Sequence, residues 1–449
     1  MYPDASSRSA RLFEREQRVL PGGNTRHTVA FDPYPLYAAS GAGCKVVDVD
    51  GVERTDFINN YSSMIHGHSH PKIVEAVRRQ AAEMMAVGLP TESEILLAEL
   101  LVERLPSVEQ VRFCNSGTEA VMFAVRAARA FTGKPKLAKV EGAYHGAYDY
   151  VQASLDPTPA NWGERDPVAV GHAAGTPERL LSDVVVIPFN DVEATARILD
   201  ANKAELAGVL FDPIVARMGF LEATPAYLRL LREWTRANGA LLLIDEVFTF
   251  RVGYDGAQGR YGIEPDLTAL GKIIGGGLPI GAVGGRRDIM SVFDHRGGHP
   301  KVPHGGTYNG NPLAMVAGRV SMELLTKPEI ERINRLGDRL RDGITRAIRE
   351  SGLGGRANGV GSMVAMMLDD STYTNYRGFL PAAARSIPLA LQVHQKMLNR
   401  GVLFIPSGGF IVSTAMDEAT IDETLAALSE VLSEVARSTG AAFAGAAQS

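Results

Sequence analysis

Residues 240–244 are apolar throughout, start after Gly239 and run into Asp245. A run of that length is too short for an ordinary helix and suits a strand covered on both faces of a parallel sheet. Short strand-like stretches, mostly apolar, recur at 111–113, 137–140, 184–187, 207–212 and 267–270. Helical stretches at 120–132 and 225–238 lie among them. This alternation predicts an α/β fold around a mostly parallel sheet.

The two ends of the chain are patterned differently. Leu12, Val19 and Leu20 stand among charges in 9–20, an amphipathic helix stopped by Pro21-Gly22-Gly23. Residues 45–49 and 52–58 flank Asp50-Gly51, a hairpin turn signal, and predict a small N-terminal sheet. Pro71 with Ile73, Val74 and Val77 starts a helix. Towards the C-terminus, helices at 313–325, 330–350 and 421–435 and strands at 363–368 and 402–405 predict a smaller α+β domain, with a frayed tail after Arg437. Residues 1–60 are assigned to the N-terminal helix and small sheet, as part of the small domain. Residues 61–325 form the large domain and 326–449 the C-terminal one. Residues 153–182, rich in Pro, Gly and polar groups, interrupt the pattern, as a lid would.

Composition narrows the function classes. The chain has 449 residues, 45% hydrophobic and 22% charged, enough for a sizeable core. A net charge of −5 argues against nucleic acid as a partner. Cys44 and Cys114 make no disulfide framework, and neither a signal peptide nor a spanning run is apparent, so a cytoplasmic location is expected.

Chemistry concentrates where two apolar runs end. Asp245 closes one; the other delivers Gly271-Lys272 and then Gly275-Gly276-Gly277. A carboxylate at the carboxyl end of a parallel strand lies where open α/β sheets bind ligands, and it needs a cationic partner. Pyridoxal phosphate uses both residues, a lysine for its Schiff base and an acid against its pyridine nitrogen. An ordinary buried Asp–Lys pair is the plain alternative. Ser116 and Glu119 in Asn115-Ser116-Gly117-Thr118-Glu119 fit a capping box, and the same helix start suits a phosphate. His66, His68 and His70 alternate, but with no cysteine or acid close by in the sequence they are read as structural and no metal is expected.

Asp245-Glu246-Val247 followed by Leu270-Gly271-Lys272 resembles the signature of the class III aminotransferases, pyridoxal-phosphate enzymes of fold type I, and the similarity extends over nearly the whole chain. LGKIIGGGLPIGA and GAQGRYGIEPDLT are similar to the glutamate-1-semialdehyde aminomutase branch. The resemblance implies that Lys272 and Asp245 are catalytic and that Ser116, Gly117 and Thr118 hold the cofactor phosphate. It also implies that Tyr144 of the YHG motif stacks on the pyridine ring, that His145 lies close, and that Val247 lines the cofactor site. Gly306-Thr307-Tyr308-Asn309-Gly310-Asn311-Pro312 is similar to a motif whose threonine reaches the phosphate of the neighbouring subunit, which implies a homodimer with shared sites. Asp212-Pro213 stands where the family has Glu-Pro.

Two departures bear on substrate. Aminomutases carry an arginine that grips the substrate carboxylate; at equal spacing this chain has Val29, with Arg26 three positions earlier. INNYSSMIHGH and EGAYHGAYDY are closer to the β-amino-acid aminotransferases, such as those for β-phenylalanine. Arg217 occupies the place where the ornithine- and GABA-type branch has a glutamate, and the stretch 404–412 lacks that branch's partner arginine. Arg26 and Arg217 are therefore the candidates for carboxylate binding, the alternatives being an exposed arginine at 26 and a structural ion pair at 217. The expected reaction is ping-pong transfer of an amino group between an amino acid or amine and a keto acid, and the alternative is the aminomutase.

Overall fold

The computed structural model describes residues 2–446, with side chains as far as 439. Among these residues the centre is a seven-stranded sheet. Its order is Gln110–Cys114, Gly281–Gly285, Leu267–Gly271, Leu241–Asp245, Leu206–Phe211, Lys136–Val140, Val184–Ile187. Gly281–Gly285 runs antiparallel to both its neighbours, and the pairings of the other five after it are parallel.

The 240–244 run is apolar throughout because both faces of its strand are covered. Leu241 and Leu243 pack with Ala120, Val121 and Val125 of the helix Gly117–Thr132. Leu242 and Ile244 point the other way, onto Tyr227, Leu231 and Trp234 of the helix Pro225–Asn238. That helix is capped by the Thr224 hydroxyl at Tyr227 N, opens on Pro225 and ends at Gly239, whose φ of 60° is left-handed.

The predicted N-terminal hairpin forms as Lys45–Asp48 with Glu53–Asp56, but its sheet is not local. An unpredicted strand, Ala38–Ala42, adds on one side, and the C-terminal strand Val402–Leu403 joins Glu53–Asp56 in parallel on the other. The first helix, Arg8–Glu16, is shorter than expected. A three-stranded antiparallel sheet, Arg356–Val360, Met363–Met367 and Gly409–Ile411, packs under Lys327–Ser351, Tyr376–Leu398 and Glu418–Ala446. The helix Tyr376–Leu398, which contains Pro381 and Pro388, was not predicted. The tail after Arg437 continues the last helix to Ala446 instead of fraying, and 447–449 lie outside the described residues.

Residues 153–182 are irregular apart from the short helix Glu178–Leu181, and they are strapped to the body. Ser154 exchanges hydrogen bonds with Val168 O and Val170 N. Arg377 donates to Trp162 O, Gly163 O and the Glu141 carboxylate. Arg197 grips Asp166 with two bonds of 2.6 Å.

Candidate active site

Asp245 and Lys272 both emerge at the carboxyl end of the sheet, from adjacent parallel strands in which Asp245 pairs with Ala269. The Asp245 carboxylate accepts from Val247 N at 2.9 Å and lies 2.8 Å from His145 Nδ1. His145 is buried and its Nε2 has no partner among the described residues. Burial pushes the His145 imidazole below the usual histidine range, against the pull of Asp245. Its Nδ1 holds the Asp245 carboxylate in place.

Lys272 sits in the left-handed region at φ 48°, a conformation that L side chains avoid and that active sites retain. Its amine lies 4.9 Å from the centroid of the Phe248 ring. Desolvation lowers its pKa, while Asp245 and Asp212 pull it upward. A lysine held this way has an amine that sheds its proton more readily than a surface one, as a nucleophile or base requires.

Asp212 is buried, and its carboxyl accepts from Ile214 N at 3.0 Å. Burial first, then the charge of Asp245, pushes it well above the usual carboxylate range. The shorter acid thus turns onto its own backbone.

The turn at 115–118 is open. Ser116 Oγ accepts from Glu119 N at 3.2 Å, while the Glu119 carboxylate reaches back to Asn115 N at 2.7 Å, one residue before the position a standard capping box uses. Gly117 N and Thr118 N donate to nothing among the described residues, at the positive end of a helix of 16 residues. A Cβ on Gly117 would lie 2.8 Å from Val247 Cγ1, so Val247 backs this turn. The Thr118 hydroxyl accepts from Ala147 N at 3.1 Å, which ties the turn to the segment carrying Tyr144 and His145. Tyr144 is half exposed. Open amides, a neighbouring lysine and an oriented carboxylate fit a phosphorylated, nitrogen-containing aromatic cofactor.

The other expected residues are placed differently. Thr307 is exposed, on a loop that Asn309 Oδ1 anchors to Asn115 Nδ2 at 2.8 Å. Arg217 is 43% exposed and paired with Asp156 of the 153–182 strap. Arg26 is exposed and donates from Nη1 to Asn60 Oδ1 at 2.9 Å.

The histidines of HGHSHP serve packing. His66 bonds to Thr414 Oγ1 at 2.9 Å and to Ser321 O at 2.8 Å. His68 lies 2.8 Å from Asp56, an acid that sequence distance had hidden. Among the described residues no metal-ligating cluster forms.

Sequence reading missed two features. Phe248, directly after the Asp-Glu-Val signature, carries a signal that could have been read. The other is a run of four non-glycine residues with left-handed φ: Asn59 at 47°, Asn60 at 46°, Tyr61 at 53° and Ser62 at 77°. Such a conformation costs about 1–2 kcal/mol per residue; the pair Asn59-Asn60, of a type that tolerates it, is a partial local signal, and Tyr61 and Ser62 carry none.

Comparison with known proteins agrees with this geometry. The model of the family "Aminotransferase class-III" matches residues 28–435. A glutamate-1-semialdehyde 2,1-aminomutase from Methanothermobacter thermautotrophicus is 40% identical over 95% of this chain and 99% of its own. An omega-transaminase from Sphaerobacter thermophilus superposes with a TM-score of 0.93 at 48% identity, covering 97% of this chain and 99% of its own. A transaminase solved with PLP bound gives 0.88 at 43% identity, with 96% and 98% covered. A β-phenylalanine aminotransferase from Variovorax paradoxus gives 0.86 at 32%, with 95% and 94% covered. The likeness spans both the central sheet that carries Asp245 and Lys272 and the smaller C-terminal sheet, and the chain belongs to the class III aminotransferases, pyridoxal-phosphate-dependent enzymes of fold type I.

Proposed function

We propose that this enzyme is an aminotransferase that takes its amino group from a β-amino acid and passes it to a keto acid in two half-reactions at one site. Arg217 carries the reading. It sits close enough to Tyr144 and Lys139 to influence both, and its guanidinium already holds a carboxylate, that of Asp156. A guanidinium that binds one carboxylate beside the cofactor site suits a carboxylate-bearing substrate. Arg26, on an exposed loop, is the second cation.

Bound pyridoxal phosphate supplies an electron sink for the reacting carbon. Ser116 and the free amides of Gly117 and Thr118 would hold its phosphate, Tyr144 would cover its ring, and Val247 would back it. Asp245, oriented by His145 and Val247 N, would pair with its ring nitrogen. Lys272 would anchor it, and its amine would move the proton at the substrate carbon as general base.

A homodimer with shared sites is part of the proposal. Met84, Met85, Val87 and Leu89 are all exposed, Leu89 at 72%, and Asn311 of the Thr307 loop donates to Met85 O at 3.3 Å. An apolar patch of this kind beside an exposed Thr307 suits a second copy that receives the threonine. No helix among the described residues is long and apolar enough to cross a membrane, and we place the enzyme in the cytoplasm.

The test is a half-reaction screen. Holoenzyme is mixed with α-, β- and ω-amino compounds without acceptor, and the change in cofactor absorbance is followed. The fastest change is expected with 3-amino-3-phenylpropanoate, and preference for an α-amino acid would sink the substrate assignment. The aminomutase is the second reading, favoured by the curated relatives at 39–40% identity. It requires turnover of glutamate 1-semialdehyde with no other amine or keto acid present.

A further inference from the structure

The left-handed run Asn59–Ser62 separates its four residues by exposure. Asn59 and Ser62 are fully buried, while Asn60 is exposed and Tyr61 is partly so. The buried ends are anchored to the body. Asn59 Nδ2 donates to Ile411 O at 2.7 Å, Asn59 N reaches the Asp56 carboxylate at 3.1 Å, and Ser62 O lies 3.5 Å from the guanidinium of the fully buried Arg251. Arg251 in turn donates to Ser362 Oγ at 2.9 Å and to Val412 O. Met64, two residues after the turn, fills the space beside Gly277, where an added Cβ would lie 3.0 Å from its sulfur. The turn is thus fixed to the loop that follows Lys272 as well as to the C-terminal sheet.

Its two central side chains reach the loop that carries Arg26. Asn60 Oδ1 accepts from Arg26 Nη1 at 2.9 Å, and the Tyr61 hydroxyl donates to Thr28 O. Asn60 Nδ2 is itself held by Ser63 Oγ at 3.0 Å, which directs the amide oxygen at the arginine. Arg26 N is braced locally by Asn24 Oδ1 at 3.1 Å. A right-handed course through the same four residues would aim these side chains elsewhere. Strain that the surrounding structure maintains commonly marks a functional constraint.

We propose that Asn60 and Tyr61 are positioning residues for Arg26: the left-handed turn exists to hold that guanidinium and its loop in place for a substrate carboxylate. The inference rests on the reading of Arg26 as a carboxylate-binding residue, and it adds the device that sets the arginine's position. Asn60 fixes the charged head and Tyr61 fixes the backbone two residues on. Held at both points, the arginine loses less rotamer freedom when a carboxylate binds.

The experiment compares 3-amino-3-phenylpropanoate with 1-phenylethylamine, the same donor without its carboxylate, on holoenzyme variants. Asn60→Gly is the informative change, because glycine accepts the left-handed φ without strain and only the amide is lost. Tyr61→Phe removes a single hydroxyl. For Asn60→Gly, KM for the acid should rise about tenfold, the scale of one hydrogen bond to a charged group, and for Tyr61→Phe about fivefold, the scale of a neutral one, with kcat within about twofold and the amine unchanged in both. In an Arg26→Met background Asn60→Gly should add nothing further. Equal losses on acid and amine, or full additivity with Arg26→Met, would make the turn merely structural and overturn the proposal. If Arg26→Met loses the acid while Asn60→Gly and Tyr61→Phe do not, positioning alone is overturned. If Arg26→Met leaves the acid unaffected, the carboxylate reading of Arg26 fails and the positioning role falls with it.

Discussion

Asp245 ends the strand Leu241–Asp245, and Arg217 follows its neighbour Leu206–Phe211 by a few residues, yet the two are held in opposite ways. Asp245 is buried and oriented by a buried histidine and a backbone amide. Arg217 is 43% exposed and holds an acid from the irregular strap. The same contrast separates the residues proposed for the cofactor from the two arginines proposed for the substrate carboxylate. Lys272, Asp245, His145 and the 116–118 turn are fixed by sheet register and a helix start. Arg26 and Arg217 sit on loops and bond to other loop or turn residues. Chemistry common to a family needs fixed positions, whereas substrate choice varies through loops that a rigid scaffold displays.

The most severe way to break the cofactor side is Lys272→Ala, which should abolish turnover while the chain still folds. Borohydride treatment of the wild-type holoenzyme should link the cofactor to Lys272, and a label on another lysine would refute the assignment. Asp245→Asn should lower kcat by roughly 10²–10³-fold for acid and amine donors alike, the scale of losing one preorganised electrostatic group. A selective effect on the acid would mean that the two sides are not separable.

On the substrate side, Arg217→Met should raise KM for carboxylate donors about tenfold, a loss of ~1.4 kcal/mol, and leave simple amines unaffected. Equal effects on an acid and its decarboxylated analogue would reduce Arg217 to a strap contact with Asp156.

A separate test, on stability and not on turnover, concerns Lys139. It is fully buried, donates to Ala153 O at 2.7 Å, and burial pushes its ammonium down to about 7. The unfolded lysine stays protonated to much higher pH, so between pH 7 and 9 the unfolded state binds more protons and folding gains stability as pH rises. Relative to Lys139→Met, wild type should gain about 2 kcal/mol over that window, read from urea unfolding at each pH. A flat difference would mean that Lys139 is charged in the folded state.

The residues proposed for the cofactor stand out in the sequence because local order along the chain carries them. An apolar run ending in an acid, a second run delivering a lysine into glycines, and Ser116 before a helix each follow from rules about neighbours in sequence. Tyr144 and His145 stand together in the chain, but the bond from His145 to Asp245 joins residues 100 positions apart. His68 was read as having no acid nearby because Asp56 is near only after folding. The helix Tyr376–Leu398 was missed because Pro381 and Pro388 speak against a helix locally, while its packing on the C-terminal sheet and last helix outweighs them.

The sequence by itself determined the α/β order, the two-faced burial of the 241–245 strand and the placing of an acid and a lysine at the carboxyl ends of neighbouring strands. These depend on periodicity and on where apolar runs stop. Only the tertiary structure decided that Val402–Leu403 completes the N-terminal sheet, that Arg217 holds Asp156, and that residues 59–62 run left-handed beneath Arg26. Each of those is a contact between distant segments or a backbone conformation held against its local preference. Such features take their energy from the assembled fold, and no window of sequence contains it.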